Sequence, residues 1–94
     1  NNNGGNIFRI IPGPNKLDEL ETYFETKNTY EAKHLANLHG LKYFQVKQEA
    51  DLEATLDAFY AENEQAALLE INTNGTLSAD ILKNYFVELV KAVK

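Results

Sequence analysis

The chain has 94 residues, 44% of them hydrophobic, with five Phe and five Tyr, enough for the core of one domain or part of one. A formal net charge of −5, with nine basic residues scattered along the chain, argues against a phosphate-backbone binder, so no nucleic-acid partner is expected. There is no cysteine, which excludes disulfides and thiolate metal sites and fits a reducing compartment, and no apolar run approaches the ~20 residues of a membrane helix.

No signal peptide is expected, because the first residues are amides and glycines. Methionine is absent altogether, so the sequence is expected to be part of a longer protein.

In chain order, residues 1–16 read as a loop: NNNGGNIFRIIPGP closes on Pro12, Gly13 and Pro14, which break regular structure. KLDELETYFET follows, with Leu17, Leu20, Tyr23 and Phe24 on one face and acids between them, and predicts a short amphipathic helix. NTYEAKHLANLHG predicts a second helix, capped by Asn28 with Glu31 completing a capping-box spacing, and ended by Gly40. LKYFQV, 41–46, is aromatic and branched, as a strand would be. EADLEATLDAFYAEN, 49–63, predicts a third helix with Leu52, Leu56, Phe59 and Tyr60 inward. AALLEIN, 66–72, is an apolar run of strand length that suits a strand buried on both faces of a parallel sheet. NTNG then turns the chain into a last helix, capped by Ser78, whose residues Ile81, Leu82, Tyr85, Phe86, Leu89, Val90 and Val93 form the strongest helical signal in the sequence.

The order is loop–α–α–β–α–β–α, an α/β pattern whose portion from Leu41 to Asn72 is a βαβ unit with an expected right-handed crossover. Two strands do not make a stable parallel sheet, so its neighbours are expected from residues upstream or from another chain.

The opening stretch has a chemistry of its own. Asparagine amide oxygens are hard, neutral acceptors suited to Mg²⁺ or Ca²⁺, and Mg²⁺ commonly helps to hold phosphates. Gly4 and Gly5 let a carbonyl turn inward and a diphosphate approach, and in parallel α/β sheets such loops lie beyond the carboxyl end of a strand. Ile7, Phe8 and Ile11 would then supply a hydrophobic wall for an attached ring.

These residues carry a resemblance. NNNGG resembles the closing half of the thiamine diphosphate motif, and NNNGGNIFRIIPGP is similar in particular to the 2-succinyl-5-enolpyruvyl-6-hydroxy-3-cyclohexene-1-carboxylate synthases, whose members carry Asn-Asn-Asn-Gly-Gly-x-Ile-Phe followed by a Pro-x-Pro. HLANLHGLKYFQVKQEADLEATLDAF and ALLEI resemble the helix–strand–helix–strand close of thiamine diphosphate domains. The resemblance implies the C-terminal part of a thiamine-diphosphate-binding, Rossmann-like domain, with residues 1–16 as its metal, diphosphate and pocket loop and 17–94 as its α/β portion. It implies Asn2 and Gly4 as ligands of Mg²⁺ or Mn²⁺, through a side-chain and a main-chain oxygen, and Asn2, Gly4, Gly5, Ile7 and Phe8 as cofactor-binding residues. Ile7, Phe8 and Ile11 would line the substrate pocket, Ile11 standing where Leu is common; Asn6 is a variable position without a role.

For the intact protein the resemblance implies a cytoplasmic transferase of menaquinone biosynthesis that decarboxylates 2-oxoglutarate and adds the resulting enamine to isochorismate. The upstream Gly-Asp carboxylate and the activating glutamate of a second subunit, in a homo-oligomer, would come from outside this chain. No catalytic residue is therefore assigned here, and the isolated piece is expected to be inactive.

Other readings stand beside these. The opening run alone reads as linker, and Ile7, Phe8 and Ile11 as core. Arg9 reads either as a partner for a carboxylated substrate or as a surface arginine. His34 and His39, five apart, read as surface, the acids over 18–25 and 49–57 as solvated faces, and the helical aromatics as core. At the level of function the alternatives are another thiamine-diphosphate-dependent carboligase or decarboxylase, such as an acetolactate-synthase-like protein, and a non-catalytic α/β docking module.

Overall fold

The structure is a computed structural model and describes residues 1–62 and 64–94. The chain divides into two compact units, one made of Asn1 with Thr29–Thr73, the other of Asn2–Asn28 with Asn74–Lys94. The α/β character predicted from the sequence is observed.

The first unit is built on two strands, β1 (Lys42–Val46) and β2 (Ala67–Ile71), paired in parallel with Lys42 opposite Ala67 and Val46 opposite Ile71. The ladder runs on at both ends, from Lys42 N to Ala66 O (3.0 Å) and from Asn72 N to Val46 O (2.8 Å). Parallel strands need a crossover, and it is helical: a 3₁₀ turn over Glu49–Asp51 leads into a helix over Leu52–Ala61. Its Phe59 meets Phe44 of β1 edge to face, with ring centroids 5.8 Å apart. The predicted helical residue Asn63 lies outside the described residues. Tyr60, expected inward, is exposed, because the face carrying Leu52, Leu56 and Phe59 is the one turned to the sheet.

The helix ahead of β1 spans Ala32–Leu38 and buries Ala36 completely. It starts three residues later than a cap at Asn28 suggested, and no side chain of its own caps it. The carboxylate of Glu70 on β2 accepts from Ala32 N instead (3.3 Å), a negative charge at a helix N-terminus supplied from across the fold. Its end is as predicted. Gly40 takes φ +65°, Leu41 N reaches Ala36 O (2.8 Å) and Gly40 N reaches Asn37 O (3.4 Å), the paired bonds of a Schellman ending. His34 and His39 are exposed, as read. β2 was expected to be buried on both faces, yet Leu68 and Leu69 are half-buried and Ile71 is exposed, since among the described residues β1 is its one neighbouring strand.

The second unit is helical. It contains a single turn over Ile7–Ile10, a 3₁₀ turn over Pro14–Lys16, a π-helical turn over Leu20–Phe24 and a long helix over Gly75–Val93. These short and long helices, with the two of the first unit, are labelled α1 (Ile7–Ile10), α2 (Ala32–Leu38), α3 (Leu52–Ala61) and α4 (Gly75–Val93). The amphipathic helix predicted over 16–26 contracts to the π turn, closed by Glu25 N on Leu20 O (2.8 Å). Leu20 and Glu25 are buried by it, while Leu17 and Tyr23 remain exposed.

α4 begins three residues before Ser78. Its cap is Asn74, whose Oδ1 accepts from Leu77 N (3.0 Å), and Ser78 lies inside the first turn. Ala79 is its buried residue; Ile81, Tyr85, Phe86, Leu89, Val90 and Val93 are exposed and Leu82 is half-buried. The reading of the helical aromatics as core is thus corrected for Tyr23, Tyr60, Tyr85 and Phe86: periodicity identifies a stripe, and what covers it is a separate question.

The cap assignment is testable. N74A is expected to lower stability by about 1 kcal/mol, and S78A to change it by less than about 0.5 kcal/mol, in urea titrations followed by circular dichroism.

Candidate metal and diphosphate site

The six residues proposed from the sequence, Asn2, Gly4, Gly5, Ile7, Phe8 and Ile11, all lie in the second unit. Asn2, Gly4 and Gly5 share one turn. Asn2 Oδ1 accepts from Gly4 N (3.1 Å), a local side-chain-to-backbone bond that Asn makes readily. Asn3 between them takes φ +57°, a left-handed conformation that Asn tolerates better than most residues.

The turn is held from one side by the segment Glu25–Asn28. Gly4 and Lys27 form an antiparallel bridge, Gly5 N donates to Thr26 O (3.2 Å), and Asn28 N donates to Asn3 O (2.9 Å). The two glycines differ in what surrounds them. A Cβ on Gly4 would stand 3.2 Å from Glu25 Oε1 and 3.3 Å from Thr26 O, so a side chain here would crowd both. A Cβ on Gly5 would meet nothing within 4 Å, so the approach to Gly5 is open.

The proposed hydrophobic wall divides. Phe8 packs edge to face on Phe24, with centroids 5.4 Å apart. Ile7, its neighbour on α1, is exposed, as adjacent positions of a helical turn point apart. Ile11 follows α1 in extended conformation, half-buried, its N bonded to Ile7 O (3.1 Å).

Arg9, read as a substrate partner or a surface arginine, is not a free surface arginine. Its guanidinium donates through Nε to Glu25 Oε1 (3.3 Å), through Nη2 to Glu25 Oε2, and through Nη2 to Glu21 Oε1 (2.9 Å). The side chains of Arg9 and Glu25 are 11% and 6% exposed, so this is a buried ion pair backed by an exposed second acid. The hydrogen bond and charge of Arg9 hold the Glu21 carboxyl below its ordinary range. The acids over 18–25 were read as a solvated face; Glu25 is the exception, and a missed one.

A second missed carboxylate organises the first unit. Glu70, 4% exposed, accepts from the Tyr43 hydroxyl, from Asn1 Nδ2 (2.7 Å) and from Ala32 N. Asn1 is further fixed by N to Ile71 O (2.7 Å), by Nδ2 to Tyr30 O (3.0 Å) and by Thr73 N to its own O (2.9 Å). The main-chain pair to Ile71 and Thr73 is the bonding of a parallel partner opposite Asn72, so Asn1 stands at the carboxyl end of β2. The Tyr43 hydrogen bond is the main reason the Glu70 carboxyl titrates below its ordinary value; burial, with the Glu70 charge, pushes the Tyr43 hydroxyl up. A carboxylate inside an otherwise apolar strand was the available sequence signal.

Asn6, to which no role was assigned, has its Oδ1 buried without a donor, near Gly75. A cavity of ≈ 170 Å³ in the same unit is lined by Arg9, Asn15, Asp80 and Lys83 among others and includes none of the six proposed residues.

Among the described residues no group of three or more His, Cys, Asp or Glu could hold a metal, and no helix is long and apolar enough to cross a membrane. What the opening turn offers is neutral hard oxygen, a carboxamide and main-chain carbonyls. That donor chemistry fits a Mg²⁺- or Mn²⁺-sized ion whose charge is balanced by groups outside the turn.

Fold and site together define an α/β segment: a parallel strand pair with its helical crossover, and an amide–glycine turn of hard oxygen donors. No family model matches the chain. It is 42% identical over 85 residues to the 2-succinyl-5-enolpyruvyl-6-hydroxy-3-cyclohexene-1-carboxylate synthase of Porphyromonas gingivalis, covering 90% of this chain and 15% of that protein. To the synthases of the same name from Flavobacterium johnsoniae and Christiangramia forsetii it is 40% identical over 89 residues and 37% over 86, covering 95% and 92% of this chain and 16% and 15% of theirs. The chain is similar to a segment of these synthases, and spans about 15% of the length of the curated relatives it matches.

Two predictions follow from the geometry. G4A is expected to cost about 1–3 kcal/mol of stability through crowding against Glu25 and Thr26, while G5A changes stability by less than about 0.5 kcal/mol; thermal melts compare them. Because the Glu70 carboxyl titrates below its ordinary value of 4.5, its contribution to stability is complete above that value and lost as pH falls through the lower one. The urea midpoint is therefore expected to drop on acidification below about pH 4.5, and to drop less in E70Q.

Proposed function

We propose that the chain is the C-terminal portion of the thiamine-diphosphate-binding domain of a 2-succinyl-5-enolpyruvyl-6-hydroxy-3-cyclohexene-1-carboxylate synthase, a cytoplasmic transferase of menaquinone biosynthesis. The reaction is decarboxylation of 2-oxoglutarate and joining of what remains to isochorismate. The observation that carries the reading is the opening turn, in a chain 42% identical to a synthase of that name: Asn2 and Gly4 are two residues apart, joined by a side-chain-to-backbone bond.

In this reading Asn2 supplies a carboxamide oxygen and Gly4 a main-chain oxygen to Mg²⁺ or Mn²⁺. Gly5, with open space where a side chain would be, lets the diphosphate come close to the backbone. Ile7, Phe8 and Ile11 exclude water beside the cofactor ring and the substrate, with Phe8 held by Phe24. When bound, the cofactor supplies the group that takes up the keto acid and releases CO₂; this chain binds and orients it. The metal-binding carboxylate and the group that activates the cofactor come from the remaining domains and from a second subunit of a homo-oligomer.

The test is a titration of the complete protein with thiamine diphosphate and Mg²⁺ or Mn²⁺, followed by assay with 2-oxoglutarate and isochorismate. Saturable binding and turnover are expected, N2A is expected to weaken metal binding about tenfold or more, and the isolated 94-residue chain is expected to show no turnover. A complete protein that is well folded yet binds neither cofactor nor metal would end this reading.

A further inference from the structure

We infer that Arg9 and Glu25 are positioning residues for the metal-holding turn: their buried ion pair fixes the segment against which Asn3–Gly5 is registered, and so sets where the Asn2 and Gly4 oxygens stand. The inference rests on the function proposed above and deepens it.

Four observations within one unit carry it. The Glu25 carboxylate reaches the turn itself, since its Oε1 lies 3.2 Å from where a Gly4 Cβ would be. The residues directly after Glu25 bond the turn through main-chain groups, by Thr26 O with Gly5 N and Asn28 N with Asn3 O. Glu25 is in turn gripped through both of its oxygens by Arg9, which lies four residues after Gly5 on α1. Glu21 takes a further Arg9 donor, so the guanidinium is committed on two sides to this unit's own acids.

A chain segment joined to the turn by two main-chain bonds could slide or fray. A two-point guanidinium–carboxylate contact resists this, because its planar fork fits the carboxylate in one orientation. Two apolar side chains of similar volume would hold the same segments together about as firmly, since buried ion pairs are not efficient stabilisers. What they would not do is fix the register. The same contacts commit Nε and Nη2 of Arg9 to Glu25 and Glu21.

The experiment uses the complete protein, with Mn²⁺ as the probe. Free Mn²⁺ is measured by electron paramagnetic resonance at saturating thiamine diphosphate, for wild type, E25Q and the charge-free pair R9M/E25M. The pair is the safeguard: it leaves no buried unpaired charge, so it is expected to fold and melt close to wild type. Both variants are expected to raise the Mn²⁺ dissociation constant about 10–100-fold, the range seen when groups supporting a metal's ligands are removed. Amide exchange across residues 3–5 and 26–28 is expected to accelerate in both, without metal present.

Wild-type Mn²⁺ affinity in a folded R9M/E25M protein overturns the inference. So does a rise in KM for the acid substrates with Mn²⁺ affinity unmoved, which would assign Arg9 to substrate. If wild type itself binds no Mn²⁺ with the cofactor, the proposed function fails first and this inference falls with it.

Discussion

A carboxylate taken out of water has to be met by donors or by a cation, and this requirement shapes both units of the chain. Each buries one glutamate, and each meets it differently. Glu70 is satisfied by neutral donors gathered from three directions: a tyrosine hydroxyl across the sheet, the start of α2 and the carboxamide of Asn1. Glu25 is satisfied by a guanidinium from α1. The apolar core around them is slight. Leu20, Ala36, Val46 and Ala79 are the buried hydrophobic residues among those described, and two of the four are alanine. Where so little apolar surface is enclosed, the placement of segments depends on directional bonds to a few charged atoms more than on close packing. That explains why the chain's least regular stretches, Asn1–Gly5 and Glu25–Asn28, are also richly bonded ones.

The strands were legible because parallel pairing leaves a coarse trace: two runs of strand length, aromatic and branched, separated by a helical period. The end of α2 was legible for a stronger reason, since a left-handed residue at that point favours glycine. The helix starts were not. Asn28 and Ser78 are good capping residues by type, but Asn74 caps α4 and a carboxylate 38 residues away in sequence serves the first N–H of α2. A cap is chosen by what stands near the helix end in space, and one-dimensional spacing cannot see Glu70. The π turn at Leu20–Phe24 was missed likewise. The pattern Leu17, Leu20, Tyr23, Phe24 is helical, but the extra residue in the turn goes with burial of Leu20 and commitment of Glu25 to Arg9, 16 residues back.

For the candidate site, residue types alone identified hard oxygen donors next to bare backbone, and the resemblance to the synthases added their roles. Neither distinguished Gly4 from Gly5. In space they are opposites: at one glycine protein crowds the room a side chain would take, the other leaves room that protein does not fill. Only the second kind leaves the space of its missing side chain to a ligand. The first kind tells which piece of chain the turn leans on, and that piece is Glu25 and Thr26.

Arg9 shows how far a sequence can mislead when charge is read without its surroundings. An arginine near a presumed binding turn, in a protein whose implied substrates are acids, invites assignment to a substrate carboxylate. The guanidinium carries five donors, but their fork points in fixed directions, and here two of the chain's own carboxylates lie along them. Nε and Nη2 are taken by these acids, and turning them to a third would leave the buried Glu25 without its cation. Removing one partner of a buried pair is costly, so the contact through Nε and Nη2 stays closed, and the influence of Arg9 on the opening turn runs through Glu25.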